Sequence, residues 1–288
     1  MIHGVRPACR NRPPPYAFFD LDVLRAERLG PSMVRVTFGG ESLNGSAETA
    51  FVSAGRDQRI KVFLPHPHQD APVMPDDNDG ETWFADWKAL DPAERGIMRS
   101  YTVRDHRPGE LDVDFALHVE GSSGPAATWA AAARPGDRVT ILGPTGSDNG
   151  GYDFRPPPGS PVLIAGDLTA LPAIAGNLAW LPSGTSAQVW IDVPHPGDRQ
   201  HLPTAADAEI TWVAPGGLLD AVRTADVPAD AYAWIAGESA LVKALRRHLV
   251  RERGLNRRTV TFSGYWRRGA TEEDLLAESV AETTNTEE

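Results

Sequence analysis

The sequence has little cysteine and no long apolar run. Cys9 is the only cysteine among 288 residues, which excludes an internal disulfide, a CxxC redox pair and a cysteine-ligated iron–sulfur cluster. A chain with one thiol fits a reducing compartment. No stretch of 18 apolar residues occurs, and the N-terminus carries arginines and prolines where a signal peptide needs an apolar run. These absences predict a cytoplasmic protein without an integral membrane segment.

Blocks of positive charge and common hydrolytic or metal motifs are also missing. The formal net charge is -11, so the mean field repels nucleic acid and anionic membranes, and neither is expected as a partner. An anionic ligand therefore needs local basic residues. No GxSxG elbow supports hydrolase chemistry. His66 and His68 in "PHPHQD" have no third ligand nearby in sequence, so we expect no metal site there.

What is present is an ordinary globular composition, with 41% hydrophobic and 23% charged residues. The length suggests two domains, and a Gly/Pro-rich connector, "GPTGSDNGGYDFRPPPGSP", separates two kinds of pattern near residue 155. We expect a monomer. The predicted division is an N-terminal arm at 1–16, an all-β domain at 17–154, an α/β domain at 155–270 and an acidic tail at 271–288.

The first domain carries strand signals. Six short apolar or alternating segments between Phe18 and Leu142 predict a small six-stranded antiparallel barrel. The one strong helix signal there is "GPAATWAAAARPGD", residues 124–137, where alanines favour helix and Pro135-Gly136 ends it. The acidic, aromatic segment 74–96 has no sustained period and is predicted to be a loop insertion with one helical turn. It is either a solvated surface loop or a partial cover over a site.

The second domain alternates short apolar strands with helices, which predicts a doubly wound parallel sheet. Such sheets bind ligands beyond the carboxyl ends of their strands. In "ESALVKALRRHLVRERG" the apolar residues recur at helical spacing, and Ser239 is interpreted as the helix cap. We therefore expect the second domain to bind a nucleotide.

Three segments of the first domain could form a ligand site. In "RSYTVR", Arg99 and Tyr101 share a strand face about 6.6 Å apart, and Thr102 points to the other face. In "LDVDFALHV", alternation sends Leu111, Val113 and Phe115 inward and Asp112, Asp114 and His118 outward. The helix start in "GPAATWA" offers unpaired N–H groups to a phosphate. A cation beside an aromatic ring suits a ligand with both phosphate and a flat ring; the alternative is structural packing with a surface arginine.

Six motifs then carry a family resemblance. From Phe18 to Gly269 the chain resembles the siderophore-interacting protein family, the FAD-dependent ferric-siderophore reductases of the ferredoxin-reductase-like superfamily. The motifs are "RSYTVR", "LDVDFALHVEGSSGPAATWA", "PGDRVTILGPTG", "AGDLTALPAI", "YAWIAGES" and "GYWRRG". The resemblance implies a ferredoxin-reductase-like fold, with a flavin-binding barrel followed by an NAD(P)H-binding-like sheet domain.

The resemblance also implies the FAD contacts. Arg99 would face the pyrophosphate, Tyr101 would pack on the isoalloxazine, and Thr102 would lie near its reactive nitrogen edge. Trp266 is either an aromatic residue that approaches the flavin or a packing residue. The remaining matching positions are Ser100, Asp114, Phe115, His118, Ala126, Ala127 and Thr128.

The nicotinamide-nucleotide positions follow from the resemblance, because "AGDLTALPAI" lacks the GxGxxG glycines. They are Asp167, Thr169, Ala170, Gly237, Glu238 and Ser239, each with a helix cap as its alternative role. Two departures bear on the choice of nucleotide: Leu168 replaces the family's usual acidic residue, and "TWVAPGG" lacks the family's frequent Arg after Trp. We expect these changes to favour NADH or another donor, unless Arg223 or Lys243 compensates.

The implied substrate is a ferric siderophore, with electrons from NADH, NADPH or another reductant. The flavin carries the chemistry, so no catalytic residue beyond it is expected. Because many ferric siderophores are anionic, Lys61, Arg267 and Arg268 are the candidate substrate-binding residues, with solvated surface charge as the alternative. Two other functions remain open: a flavin-containing siderophore-binding protein without turnover, and a general flavin reductase or electron carrier.

Overall fold

Two sheets of different kinds make up the part of the chain that the computed structural model describes, which is residues 16–45, 49–76, 82–117 and 124–270. The predicted N-terminal arm, apart from Tyr16, and the predicted acidic tail lie outside these residues. None of the helices in the described ranges is long and apolar enough to cross a membrane.

The first sheet closes into an antiparallel barrel with the strand order β1-β2-β5-β4-β3-β6. Strand β1 is 15 residues long and closes the barrel by pairing with β2 on one side and with β6 on the other. The predicted six-stranded barrel is confirmed. Its strands are β1 (Tyr16–Gly30), β2 (Met33–Gly39), β3 (Arg59–Leu64), β4 (Ile97–Arg107), β5 (Glu110–Ala116) and β6 (Arg138–Pro144).

The barrel core follows from the alternation in these strands. Leu111, Val113 and Phe115 of β5 are fully buried in it, as the sequence pattern predicts. Helix α2 (Pro125–Ala132) lies where a helix is predicted, and its Trp129 ring stacks on Phe38 at a centroid distance of 6.2 Å. The helix therefore closes one end of the core.

The insertion between β3 and β4 is more ordered than the sequence pattern indicates. Helix α1 (Trp83–Ala89) occupies seven residues of the segment predicted as a loop with one turn. Trp87 is buried against Phe63 and Met98, and its indole N–H donates to the carbonyl of Gly96 at 3.0 Å. Long-range burial of one aromatic residue thus stabilises a helix that local periodicity does not reveal.

The second sheet is parallel, with the order β11-β10-β7-β8-β9. Helix α3 packs on one face and helices α4 and α5 pack on the other, which confirms the predicted doubly wound arrangement. The order of the strands reverses at β7: β8 and β9 are added on one side of it, and β10 and β11 on the other. The elements are β7 (Val162–Asp167), α3 (Leu171–Trp180), β8 (Ser186–Asp192), β9 (Asp207–Val213), α4 (Leu218–Thr224), β10 (Tyr232–Glu238), α5 (Ser239–Arg247) and β11 (Val260–Trp266).

The barrel and the parallel sheet are joined by buried polar contacts. Asp57, just before β3, accepts the backbone N–H of Phe154 and the indole N–H of Trp234, each at 3.0 Å. Asp198, which follows β8, accepts the backbone N–H of Ser32 at 2.8 Å. Asp57 and Asp198 are both nearly inaccessible to solvent. These bonds hold the two sheets in one fixed arrangement.

Candidate functional site

The β4 motif lies on the wall of the barrel between β3 and β5. Register pairs Arg99 with Val62 and Tyr101 with Ile60, so both candidate residues share the inward-leaning face. The half-buried Tyr101 ring packs on Phe115, with centroids 4.3 Å apart. Phe115 is fully buried and supports Tyr101 from beneath, so its own side chain presents no surface to a ligand.

Thr102 points to the other face of β4 and meets the second sheet. Tyr265 of β11 lies against its hydroxyl, and the pKa of Tyr265 is raised above the ordinary value because the phenol is buried. The negative charge of Asp57 raises this pKa further, whereas the positive charge of Arg59 lowers it. Thr102 and the end of β11 are thus brought together, although 163 residues separate Thr102 from Tyr265 in the chain.

The start of α2 has the chemistry of a phosphate site. Gly124 caps the helix without a side-chain hydrogen bond, Pro125 occupies its first turn, and no acidic residue lies there. Ala126 and Ala127 are buried against the barrel while Thr128 is exposed. Among the described residues, no side chain accepts a hydrogen bond from the N–H groups of this turn. His118, a predicted FAD contact, lies outside the described residues.

The Asp114 carboxylate lies beside two arginine side chains, Arg35 and Arg104. Arg35 donates to both of its carboxylate oxygens, at 2.7 and 2.8 Å, and Arg104 Nε lies 3.6 Å from Oδ2. Burial lowers the pKa of Arg104, and its Nε–H has no hydrogen-bond partner among the described residues. The sequence analysis missed Arg35 and Arg104, although the alternation of β2 and β4 places both beside Asp114. A flavin contact through Asp114 stays a prediction.

Asp167 is the centre of a hydrogen-bond network at the carboxyl edge of the parallel sheet. Its Oδ1 accepts the backbone N–H of Thr169 at 2.9 Å and the Thr169 hydroxyl at 2.5 Å. Its Oδ2 accepts the backbone N–H of Glu238 at 2.7 Å and the indole N–H of Trp266 at 2.9 Å. Four of the predicted site residues are therefore tied together at the point where β7, β10 and β11 end.

The other nucleotide positions divide between backbone and side-chain roles. Gly237 has a φ of 136°, and a Cβ there would lie 2.5 Å from Asp167 Oδ2. Ala170 is completely buried in the core. The prediction that Ser239 caps α5 is wrong: Glu238 is the cap, because its carboxylate accepts the N–H groups of Ala240 and Leu241. Ser239 instead donates its hydroxyl to the Trp266 carbonyl at 3.0 Å.

A further carboxylate ends the neighbouring strand. Asp192 is in register with Asp167 across the β7–β8 pair, and its Oδ2 accepts the backbone N–H of Gly216 at 2.8 Å. Burial raises its pKa, and Asp167 adds to this rise. The sequence analysis missed Asp192, although "WID" ends its strand as "AGD" ends β7. The same strand-end rule identifies both residues.

The candidate substrate-binding cations come from both sheets. Lys61 Nζ lies 2.6 Å from the Ser100 hydroxyl, on the same outer face of β3 and β4 as Thr102. Arg267 and Arg268 directly follow Trp266 and β11, and Arg268 is exposed. Because Tyr265 meets Thr102, the end of β11 approaches the strand face that carries Lys61. Substrate binding by Lys61, Arg267 and Arg268 stays a prediction.

His66 and His68, in the segment between β3 and β4, each contact an oxygen atom of that same segment. His66 Nε2 lies 3.1 Å from the Arg95 carbonyl oxygen, and His68 Nε2 lies 3.3 Å from Glu94 Oε2. Within residues 16–45, 49–76, 82–117 and 124–270, no group of three or more His, Cys, Asp or Glu residues is arranged to hold a metal ion.

Comparisons with known proteins identify both halves of this arrangement. Residues 22–148 match the model of the siderophore-interacting FAD-binding domain, and residues 160–269 match that of the siderophore-interacting protein. The ferric vibriobactin reductase ViuB of Vibrio cholerae is 31% identical over 264 residues, covering 88% of this chain and 90% of that protein. The NADPH-dependent ferric-chelate reductase of Escherichia coli is 31% identical, covering 86% and 92%.

A solved structure agrees with the sequence relatives. The crystal structure of a siderophore utilization protein from T. fusca superposes with a TM-score of 0.71 at 31% identity, covering 89% of this chain and 95% of that chain. The two family-model matches take in the barrel from within β1 onward and the whole of the parallel sheet. The chain belongs to the siderophore-interacting protein family.

Proposed function

We propose that the protein is an FAD-dependent oxidoreductase that transfers electrons from NAD(P)H to a ferric siderophore and releases Fe(II). The observation that carries the proposal is the meeting of Thr102 and Tyr265, which joins the flavin motif of the barrel to the carboxyl edge of the sheet. The reductases among its relatives support the same reaction class.

The residues of the barrel fit an FAD molecule. The uncapped start of α2 and Arg99 would hold its pyrophosphate, and Tyr101, braced by Phe115, would pack on its ring system. Ala126 and Ala127 leave the helix backbone open to close approach. We assign residues 17–154 to this role and residues 155–270 to the nucleotide, with Asp167, Thr169 and Glu238 shaping the nucleotide edge.

The reaction balances with one nucleotide for two iron ions. The chemistry supplied by bound FAD is hydride acceptance from NAD(P)H followed by donation of single electrons. Two Fe(III) ions thus become two Fe(II) ions, and one proton is released with NAD(P)⁺. Hard oxygen donors of a siderophore bind Fe(II) more weakly than Fe(III), so reduction releases the metal. Lys61 and Arg267 would attract the anionic chelate to the junction of the barrel and the parallel sheet.

Anaerobic half-reactions test the proposal. Protein reconstituted with FAD is bleached with a limiting amount of NADH or NADPH, and a ferric tris-catecholate or ferric hydroxamate is then added in the presence of an Fe(II)-trapping chelator. We expect the flavin colour to return and two Fe(II) ions to be trapped for each nucleotide oxidised. A flavin that stays reduced while the ferric chelate binds would support siderophore binding without turnover and overturn the proposal.

A further inference from the structure

Asp192 occupies the position in the parallel sheet that discriminates between nucleotides in dinucleotide-binding folds. From β7, which follows the connector, β8 is the next strand in both sequence and space, and Asp192 is its last residue. In such sheets an acidic residue about 20 residues beyond the first strand-to-helix turn accepts a hydrogen bond from the ribose 2′-hydroxyl of NAD(H), whereas a nearby arginine accommodates the 2′-phosphate of NADP(H). The strand-end position therefore gives Asp192 a specific chemical role.

The carboxylate of Asp192 has one oxygen available for such a bond. Oδ2 accepts the backbone N–H of Gly216 at 2.8 Å, which fixes the side chain against the turn before α4. Among the described residues, Oδ1 has no protein donor. Asp192 is partly accessible, so a ligand hydroxyl can reach Oδ1. The side chain is thus held in place by one oxygen and presents the other.

The charges around Asp192 disfavour an additional phosphate. Its register neighbours are Asp167 on β7 and the neutral Val213 on β9, and Val213 directly follows Trp212 at the position where the sequence analysis notes a missing arginine. Burial raises the pKa of Asp192, and the nearby negative charge of Asp167 adds to the rise. The carboxylate of Glu238 caps α5 at the same edge of the sheet. A phosphate dianion placed here would face repulsion at short range.

The two cations suggested by the sequence lie elsewhere. Arg223 is in the last turn of α4, and its Nη1 pairs with Asp220 at 3.4 Å. Since α4 starts at the carboxyl edge, its seven residues carry Arg223 roughly 8 Å toward the opposite edge. Lys243 is exposed on α5, which packs over β10 and β11. Neither residue compensates for the missing arginine beside Asp192.

One further cation follows Asp192 along the chain. Arg199 is exposed, and the segment that carries it is tied to the barrel through Asp198, which accepts the N–H groups of Ser32 and His195. This anchoring holds the segment against the barrel. Arg199 nevertheless requires its own variant in the test, because a long exposed side chain can reach a ligand.

We propose that Asp192 is the specificity-determining residue of the nucleotide site, accepting the ribose 2′-hydroxyl of NADH and excluding the 2′-phosphate of NADPH. The inference rests on the proposed function, since it assigns the electron donor of that reaction. It separates this chain from its relative named as NADPH-dependent. The chain therefore draws its electrons from NADH.

The test compares the two nucleotides in wild type and Asp192→Asn. Asparagine keeps an oxygen for the Gly216 N–H, so the local fold is preserved. We measure equilibrium binding of NAD⁺ and NADP⁺ by dialysis and the rates of anaerobic flavin reduction by NADH and NADPH. Wild type should favour the nucleotide without the 2′-phosphate by at least about tenfold, the effect of one strong charge-assisted contact. Asp192→Asn should reduce that preference to about threefold or less.

Two control variants separate position from net charge. Asp207→Asn removes the same charge at the opposite end of β9 and should leave the preference unchanged within about twofold, as should Arg199→Ala. Equal affinity of the wild type for both nucleotides, a preference unaffected by Asp192→Asn, or a loss of NADP⁺ binding confined to Arg199→Ala would each overturn the inference. These measurements contain no ferric siderophore and so do not depend on iron reduction. A protein that binds NADH selectively but does not reduce Fe(III) would refute the proposed function and leave the role of Asp192 standing.

Discussion

Trp266 donates its indole N–H to Asp167 Oδ2 at 2.9 Å, which ties the end of the last strand to the end of the first strand of the parallel sheet. The same oxygen accepts the Glu238 N–H at 2.7 Å. The bond fixes the last aromatic residue before Arg267 and so sets where the basic end of β11 lies. A carboxylate thereby orients the aromatic ring that directly precedes two arginines.

Removing this bond should lower stability modestly. Trp266→Phe keeps an aromatic ring but removes the N–H donor, and Asp167 keeps its three other donors. We expect a loss of about 1.5–3 kcal/mol in the free energy of unfolding, the usual size for a hydrogen bond to a charged acceptor. A double-mutant cycle with Asp167→Asn measures the coupling. Strictly additive effects of the two substitutions would show that the bond carries no energy.

Gly237 should tolerate no side chain. Gly237→Ala forces a Cβ to within 2.5 Å of Asp167 Oδ2 at a φ of 136°, so backbone strain and a steric clash act together. We expect a loss of about 3 kcal/mol or more, measured by chemical denaturation. The matched control is Gly184→Ala, where φ is 80° and the Cβ meets nothing within 4 Å. It should cost only about 1 kcal/mol, and equal losses would contradict the steric argument.

The buried carboxylate of Asp57 should matter far more than the exposed one of Asp153. Asp57→Ala leaves the Trp234 indole and the Phe154 N–H without their acceptor, at an expected cost of about 3 kcal/mol. Asp153→Ala removes an exposed ion pair with Arg59 and should cost less than about 1 kcal/mol. Denaturation midpoints followed by tryptophan fluorescence compare the two variants. Similar midpoints would show that the Asp57 contacts are dispensable.

Acid should remove the stabilisation provided by Glu110. Hydrogen bonds from Arg25 and then Arg107 lower its pKa from 4.5 to about 2. Because the folded state holds this proton less tightly than the unfolded state, the contribution is complete above about pH 4.5 and disappears as the pH falls toward 2. The difference in melting temperature between wild type and Glu110→Gln should therefore be constant from about pH 7 to 5 and shrink below that range. In an Arg25→Gln background the pH dependence should weaken; an unaltered profile there would assign the shift to another group.

Lys61 should affect the substrate rather than the fold. Lys61→Ala should raise the KM for an anionic ferric siderophore by roughly two- to tenfold, with FAD still bound, and added salt should narrow the difference. Arg267→Ala should act in the same direction. Lys88→Ala removes an exposed charge from α1, where it lies over the Phe84 ring, and serves as the control. Identical steady-state kinetics for all three variants would remove these cations from the substrate site.

The sequence predicts those strands and helices whose apolar residues recur at a regular spacing. The alternation in "LDVDFALHV" and the helical spacing in "ESALVKALRRHLVRERG" correctly predict β5 and α5, because a regular element repeats its own exposure along the chain. Helix α1 escapes such analysis, since it depends on Trp87 reaching Phe63 and Met98 across the insertion. A helix that depends on contacts with residues distant in sequence need not show a helical spacing of apolar residues.

The candidate site shows the same limit. The family resemblance points to Asp167 and Glu238 as nucleotide positions. Which of Glu238 and Ser239 caps α5, however, depends on where the Trp266 carbonyl lies. Asp57 stands outside every motif, and its partners Phe154 and Trp234 lie about 100 and 180 residues away in sequence. A contact across two sheets requires knowledge of how they face each other, which the order of residues alone does not provide.

The Asp57 contacts also mean that this enzyme is not a pair of exchangeable modules. A barrel expressed without the residues beyond β6 would carry a carboxylate whose indole donor is on β10 and whose amide donors are at Asp153 and Phe154. It would also expose Met33, which packs among residues of the parallel sheet. Chimaeras with related reductases should therefore be joined so that Asp57, Phe154 and Trp234 come from one parent.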